Sequence, residues 1–79
     1  MNWRDFIVSE ETILMGKPTI KGTRLSVEFI LSLLAQGWTE QMIFENYPHL
    51  THEQLQAVFS YAYDNLQSGL IFDPQPKRA

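Results

Sequence analysis

Three good N-cap residues divide the second part of the sequence into helical segments, and they constrain the fold more than any other feature. Ser26, Thr39 and Thr51 each carry a side-chain oxygen that can accept a hydrogen bond from the first free backbone N–H groups of a helix. Thr51 is followed three residues later by Gln54, which is the spacing of a capping box. The sequence therefore predicts three helices that begin directly after these caps.

Apolar residues behind each cap repeat at the spacing of an amphipathic helix, and glycine or proline follows each repeat. The predicted helices cover Val27 to Gln36, Glu40 to Asn46 and His52 to Ser68. They are expected to end before Gly37, Pro48 and Gly69, respectively. The positions predicted to face the core are Val27, Ile30, Leu31 and Leu34 in the first helix, Ile43 with Phe44 or Tyr47 in the second, and Leu55, Val58, Phe59, Ala62 and Leu66 in the third.

A short β-hairpin is predicted ahead of the helices. Thr19-Ile20 and Thr23-Arg24-Leu25 flank Lys21-Gly22, and glycine accepts the positive φ that a two-residue hairpin turn needs. The segment from Trp3 to Val8 is predicted as a further short strand. The predicted fold class is therefore mainly α, with an N-terminal β-hairpin followed by three helices in the layout of a helix-turn-helix. Residues 1–69 are expected to form this domain, and residues 70–79 a C-terminal tail.

The length of the chain limits it to one small domain. With 79 residues the core is small, and without cysteine no disulfide can reinforce it. Dimerisation or binding to a partner is the remaining way to bury more apolar surface, so a homodimer is expected. The first residues show neither the apolar run of a signal peptide nor a membrane span, and a cytoplasmic protein is expected.

The charges are distributed unevenly along the chain. Of the six basic residues, Lys17, Lys21 and Arg24 fall in the predicted hairpin, and residues 26–75 contain no lysine or arginine. That stretch is acidic, with Glu28, Glu40, Glu45, Glu53, Asp64 and Asp73. Because phosphate neutralisation supplies most non-specific affinity for nucleic acid, a DNA-binding version of the domain is expected to use the hairpin. The alternative is that the lysines are solvated charges protecting an edge strand, and that Arg24 pairs with Glu28.

The third helix offers the other candidate contacts to DNA. In a helix-turn-helix the second helix of the motif enters the major groove with its N-terminal end. Here that end carries Gln54 and Gln56, whose amides can read an adenine edge, but also Glu53, which phosphate would repel. The layout alone favours DNA binding and protein binding equally, since a fold does not fix a function.

No pattern of residues indicates catalysis or a cofactor. Gly16-Lys17-Pro18-Thr19 is superficially similar to a phosphate-binding loop, but Glu11 stands where that motif requires its first glycine. His49 and His52 are close in sequence, yet a metal site needs further ligands in the same place. We therefore expect no enzyme, no metal site and no cofactor.

Apolar residues near the end of the third helix are candidates for binding a partner. Tyr61 and Tyr63 lie on either side of the predicted apolar stripe, so at least one of them should be exposed. Leu70, Ile71 and Phe72 follow the helix, and two prolines come shortly after them. An exposed tyrosine beside this segment would form an apolar patch suited to a protein partner, with Phe72 as an anchor. The alternative is that the segment packs on its own third helix.

Three runs of residues resemble a widespread family of short bacterial and archaeal proteins. They are Gly16-Lys17-Pro18-Thr19-Ile20-Lys21-Gly22-Thr23-Arg24-Leu25-Ser26-Val27, Leu34-Ala35-Gln36-Gly37 and Tyr47-Pro48-His49-Leu50-Thr51. The family was long described as a domain of unknown function and is now often described as antitoxin-like. The resemblance implies a homeodomain-like helical fold, no enzyme activity and a PIN-like nuclease toxin as partner.

The leading hypothesis from the sequence is an antitoxin-like regulator that binds a PIN-like toxin protein and, as a dimer, its own operator DNA. The alternative is a protein-interaction module that does not bind nucleic acid. The acidic helices suit both hypotheses if they face a basic nuclease surface, because complementary charge steers and orients a partner.

Overall fold

The computed structural model describes residues 2–69, which form a mostly helical unit with a two-stranded antiparallel sheet at its N-terminal side. The strands are β1 (Ile7–Val8) and β2 (Thr19–Ile20), and the helices are α1 (Val27–Ala35), α2 (Glu40–Asn46) and α3 (His52–Gln67). Single turns of 3-10 helix cover Trp3–Asp5 and Leu14–Gly16. The predicted class, mainly α with a preceding hairpin, is confirmed at this level.

The three helices begin where the caps predicted and end within one residue of the predicted bounds. The N–H groups of Phe29, Met42 and Gln54 donate to the side-chain oxygens of Ser26, Thr39 and Thr51, over 2.9, 3.1 and 3.1 Å. Gly37 and Gly69 have positive φ values of 98° and 77° beyond the ends of α1 and α3. These are the left-handed conformations that close a helix, and glycine adopts them without a steric penalty.

The sheet pairs different segments from those predicted. Strand β2 pairs with β1, with Ile7 opposite Ile20 and Val8 opposite Thr19. The predicted strand over 23–25 is wrong, because those residues form no strand. This part of the chain is joined to β2 by the N–H of Ile20, which donates to the carbonyl of Leu25 over 2.9 Å, and by one isolated bridge between Thr19 and Ser26. Pairing with β1 prevails because it places Ile7 and Ile20 together in the core, at 6% and 0% exposure.

The predicted turn at Lys21-Gly22 is confirmed. The N–H of Thr23 donates to the carbonyl of Ile20 over 3.0 Å, and Gly22 has a φ of 81°. This turn directs the chain from the sheet into α1. The strand predicted over Trp3 to Val8 is correct only for its last two residues, because the chain begins with a 3-10 turn that the Asn2 side chain caps.

The core lies between the sheet and the three helices. Its buried apolar residues are Ile7, Ile20, Val27, Ile30, Leu33, Ile43, Leu50, Leu55, Ala57 and Val58. Leu33, rather than Leu31 or Leu34, is the buried leucine of α1. The prediction that Leu66 faces the core is wrong, since Leu66 is 55% exposed. None of the helices within residues 2–69 is long and apolar enough to cross a membrane.

Candidate functional site

The three predicted basic contacts, Lys17, Lys21 and Arg24, are all exposed on the segment that surrounds β2 and leads into α1. Lys17 Nζ lies 3.0 Å from Glu28 Oε1, and both side chains are largely exposed. The predicted pair of Arg24 with Glu28 is therefore wrong. The reason is local: the N–H of Val27 donates to the carbonyl of Pro18 over 2.9 Å, which brings the neighbouring Lys17 beside the first turn of α1.

This ion pair leaves Lys17 available to another anion. An exposed pair contributes only about 0–1 kcal/mol, so its replacement by a phosphate or carboxylate of a partner costs little. Among the described residues Lys21 and Arg24 make no ion pair within 4 Å. The structure thus presents three cations on one short segment, at the opposite end of the sequence from α3.

The N-terminal end of α3 is less suited to reading DNA than the sequence suggested. Gln54 Oε1 accepts a hydrogen bond from the N–H of Thr51 over 2.9 Å, which completes the capping box. If the Gln54 amide bound an adenine through both its oxygen and its nitrogen, that contact would compete with the capping hydrogen bond. Gln56 is exposed, and Glu53 beside it is exposed as well. Of the two glutamines, Gln56 is the one whose amide makes no hydrogen bond to the described residues.

The two tyrosines near the end of α3 differ in their surroundings. Tyr61 is partly buried, and its ring meets that of Trp3 edge to face, with centroids 4.7 Å apart. Tyr63 is 60% exposed. The predicted contacts at Leu70, Ile71 and Phe72 lie outside the described residues. Tyr61, which was predicted to contact a partner, therefore packs against its own chain. Tyr63, two residues later, is the exposed tyrosine.

A groove beside Trp3 is the candidate site that the sequence analysis missed. It has a volume of about 320 Å³ and is lined by Trp3, Gln56, Phe59, Ser60, Tyr63 and Asp64, a set called here the Trp3 groove. The indole N–H of Trp3 donates to Asp64 Oδ2 over 2.5 Å. This bond fixes an aromatic ring beside a carboxylate, although the two residues are 61 positions apart in the sequence.

A second, more apolar depression lies between the Lys21-Gly22 turn and the connection from α2 to α3. It has a volume of about 330 Å³ and is lined by Thr23, Leu25, Asn46, Tyr47, Pro48, His49 and Leu50. Most of its lining comes from two of the three runs that resemble the family pattern. Its lining includes no lysine, arginine, aspartate or glutamate.

The acidic residues of the helices are mostly on the surface, and Glu40, Glu45 and Glu53 are all exposed. His52 lies against the ring of Phe44, with centroids 4.3 Å apart, so its ring takes part in packing. Within residues 2–69, no three histidine, aspartate or glutamate side chains are grouped closely enough to hold a metal ion.

Residues 7–62 match the model of a family described as "Protein of unknown function (DUF433)". The chain is also 31% identical over 62 residues to the uncharacterized protein y4eO of Sinorhizobium fredii, and this match covers 78% of the chain and 28% of that protein. Its fold is similar to the crystal structure of a DUF433 member from Anabaena variabilis, with a TM-score of 0.72 and 29% sequence identity. That match covers 78% of this chain and 61% of the other, so the chain spans less than two thirds of each relative.

Proposed function

We propose that this chain, which belongs to the DUF433 family of proteins of unknown function, is an antitoxin-like regulator that binds a PIN-like nuclease toxin. The observation that carries the proposal is the acidic surface of the helices. Glu40, Glu45 and Glu53 are exposed on α2 and α3, and residues 26–75 contain no lysine or arginine to offset them. A nuclease surface that binds nucleic acid is basic, so an acidic helical domain can bind it by charge complementarity and exclude the substrate.

A helix-turn-helix of homeodomain-like type is part of this proposal. It rests on the succession of α2 and α3 across the short connection 47–51, with α3 as the longest helix. In this arrangement Glu40 and Glu45 on α2 and Glu53 on α3 are exposed, and a protein partner can contact them. We take the domain to act in the cytoplasm, where such a toxin would degrade RNA.

A homodimer is also part of the proposal, because a core this small leaves large apolar side chains on the surface. Met15 is 90% exposed, and Phe29 and Met42 are each 39% exposed. Self-association would remove part of this surface from water. Sedimentation velocity at micromolar concentration should therefore show a species of about twice the 9.2 kDa chain mass. A single species of chain mass would contradict the dimer without affecting the toxin proposal.

Isothermal titration of the chain with a purified PIN-like nuclease encoded beside it tests the main proposal. The test variant replaces two helical acids, Glu45→Lys with Glu53→Lys. The matched control makes the same change in charge at exposed residues outside the helices, Glu10→Lys with Glu11→Lys. We expect the helical variant to weaken binding at least about tenfold, because each reversed charge at a complementary surface costs about a kcal/mol or more.

The control variant is expected to bind like the unmodified chain. If both variants bind equally well, the acidic helices do not form the contact. If the unmodified chain does not bind the nuclease, the antitoxin proposal is wrong and a protein-interaction module with another partner becomes the better interpretation. Operator DNA is a second candidate ligand, which the exposed Lys17, Lys21 and Arg24 favour.

A further inference from the structure

The Trp3 groove combines aromatic walls with a carboxylate. Trp3, Phe59 and Tyr63 supply the aromatic surface, and Asp64 stands between the groove and the neighbouring depression. Tyr63 is well exposed, so this wall is open to a partner. Asp64 Oδ2 accepts the indole N–H of Trp3, whereas its Oδ1 accepts no hydrogen bond from the described residues.

The chain already shows that Trp3 can hold a guanidinium. The guanidinium carbon of its own Arg4 lies 4.4 Å from the centre of the Trp3 ring. Arg4 lines the neighbouring depression, together with Tyr61 and Asn65, and it does not line the Trp3 groove. The side of Trp3 toward Phe59 and Tyr63 is therefore left without a cation. A planar guanidinium stacks on aromatic rings and at the same time pairs with a carboxylate, which is the combination that this groove presents.

We propose that the Trp3 groove binds an arginine side chain of a protein partner. The guanidinium lies against Trp3 and Tyr63 and donates to Asp64 Oδ1, and the amide of Gln56 lies at the polar edge of the groove. No lysine or arginine of the three helices competes for this carboxylate, and Arg4, which lines the neighbouring depression, makes no ion pair with Asp64 within 4 Å. The proposal deepens the proposed function, on which it rests for the identity of the partner: the arginine would come from the basic surface of the nuclease.

The neutral alternative is that Trp3 serves only to fasten the N-terminal turn to α3. The edge-to-face contact with Tyr61 and the bond to Asp64 both contribute to that packing. Packing alone, however, predicts no affinity for a cation. A binding measurement with arginine itself therefore separates the two interpretations.

The probe is N-acetylarginine amide, titrated into the full chain at constant ionic strength and followed by the indole N–H resonances in two-dimensional NMR. The chain has two tryptophans, and Trp38 does not line the groove, so its resonance is an internal control. We expect a saturable shift of the Trp3 resonance with a dissociation constant on the order of millimolar, as suits a single side chain. N-acetylcitrulline amide, which has nearly the same shape but no charge, should give no saturable shift.

Two variants and a matched control locate the binding. Asp64→Asn keeps an acceptor for the Trp3 N–H but removes the charge, and Tyr63→Ala removes the exposed wall without touching the carboxylate. Glu11→Gln removes one negative charge at an exposed position outside the helices and outside the groove. We expect Asp64→Asn and Tyr63→Ala to weaken arginine binding at least about fivefold and Glu11→Gln to leave it within about twofold.

Three outcomes would overturn the proposal: no saturable shift of Trp3 in the unmodified chain, an equal shift with the citrulline probe, or equal binding by Asp64→Asn and Glu11→Gln. Failure here while the nuclease still binds would reject the groove and retain the proposed function. Binding of arginine without binding of the nuclease would retain the groove and reject that partner.

Discussion

Trp3 joins the beginning of the described chain to the last helix through two different contacts. Its N–H donates to Asp64, and its ring meets Tyr61 edge to face. An aromatic pair of this geometry contributes about 0.5–1.5 kcal/mol beyond the area it buries. A hydrogen bond to a charged group contributes about 1.5–3 kcal/mol, and less where water reaches it. One residue thus holds the N-terminal 3-10 turn in place.

Trp3→Ala should lower the free energy of unfolding by about 2 kcal/mol, which is below the cost in a full core because Trp3 is only partly buried. Trp3→Phe keeps an aromatic ring but removes the donor, and it should cost about 1 kcal/mol. Urea unfolding followed by circular dichroism measures both. Equal stability of Trp3→Ala and the unmodified chain would show that the N-terminal turn is not fastened to α3.

Contacts between residues far apart in sequence, such as that of Trp3 with Asp64, cannot be predicted from local sequence patterns. No spacing rule relates Trp3 to Asp64, because the two residues meet only once the whole chain has folded. The same holds for Glu28, whose predicted partner four residues earlier, Arg24, was displaced by Lys17, eleven residues earlier. The groove was therefore missed, and the exposure of Lys17, Lys21 and Arg24 was predicted from charge alone.

At the scale of elements, the caps determine where the helices begin. All three predicted N-caps are present, and each is a contact between residues three apart in sequence. Local rules suffice for contacts of this kind. Local rules do not decide the pairing in the sheet. Strand β2 had two candidate partners, β1 and residues 23–25, and pairing with β1 is the one that buries Ile7. The core position predicted at Leu66 was wrong for a similar reason, because periodicity assigns a residue to a face of the helix but does not say which described residues pack against it.

Thr51→Ala should lower the free energy of unfolding by about 1 kcal/mol, because it leaves the N–H of Gln54 without its acceptor. Thr51→Ser retains the hydroxyl and should stay within a few tenths of a kcal/mol of the unmodified chain. Thermal or urea unfolding of the two variants side by side provides the measurement. If both lose equal stability, the methyl group rather than the cap is responsible, and the capping box has no energetic role here.

At the scale of the whole molecule, the chain separates its charges. The cations Lys17, Lys21 and Arg24 are exposed on the segment around β2, whereas the three helices carry exposed acids and no lysine or arginine. A separation of this kind allows one domain to bind a basic protein and a polyanion at different surfaces. A dimer would double both surfaces and bring two basic segments to one duplex, which would raise the number of phosphate contacts.

If the chain binds DNA, the basic segment rather than α3 should make the contact. Two features of the structure support this expectation: Gln54 is engaged in the cap, and Lys21 and Arg24 make no ion pair among residues 2–69.

Titrations against the DNA upstream of the gene, at several salt concentrations, compare the unmodified chain with Lys21→Ala plus Arg24→Ala and with Gln54→Ala plus Gln56→Ala. Each lost phosphate contact lowers the salt slope by about one unit, so the basic variant should lower it by about two per chain. The glutamine variant, checked for folding by circular dichroism, should keep the slope. If it abolishes binding while the basic variant keeps both affinity and slope, α3 is the DNA-reading element. If the unmodified chain shows no binding even at low salt, the domain acts on proteins alone.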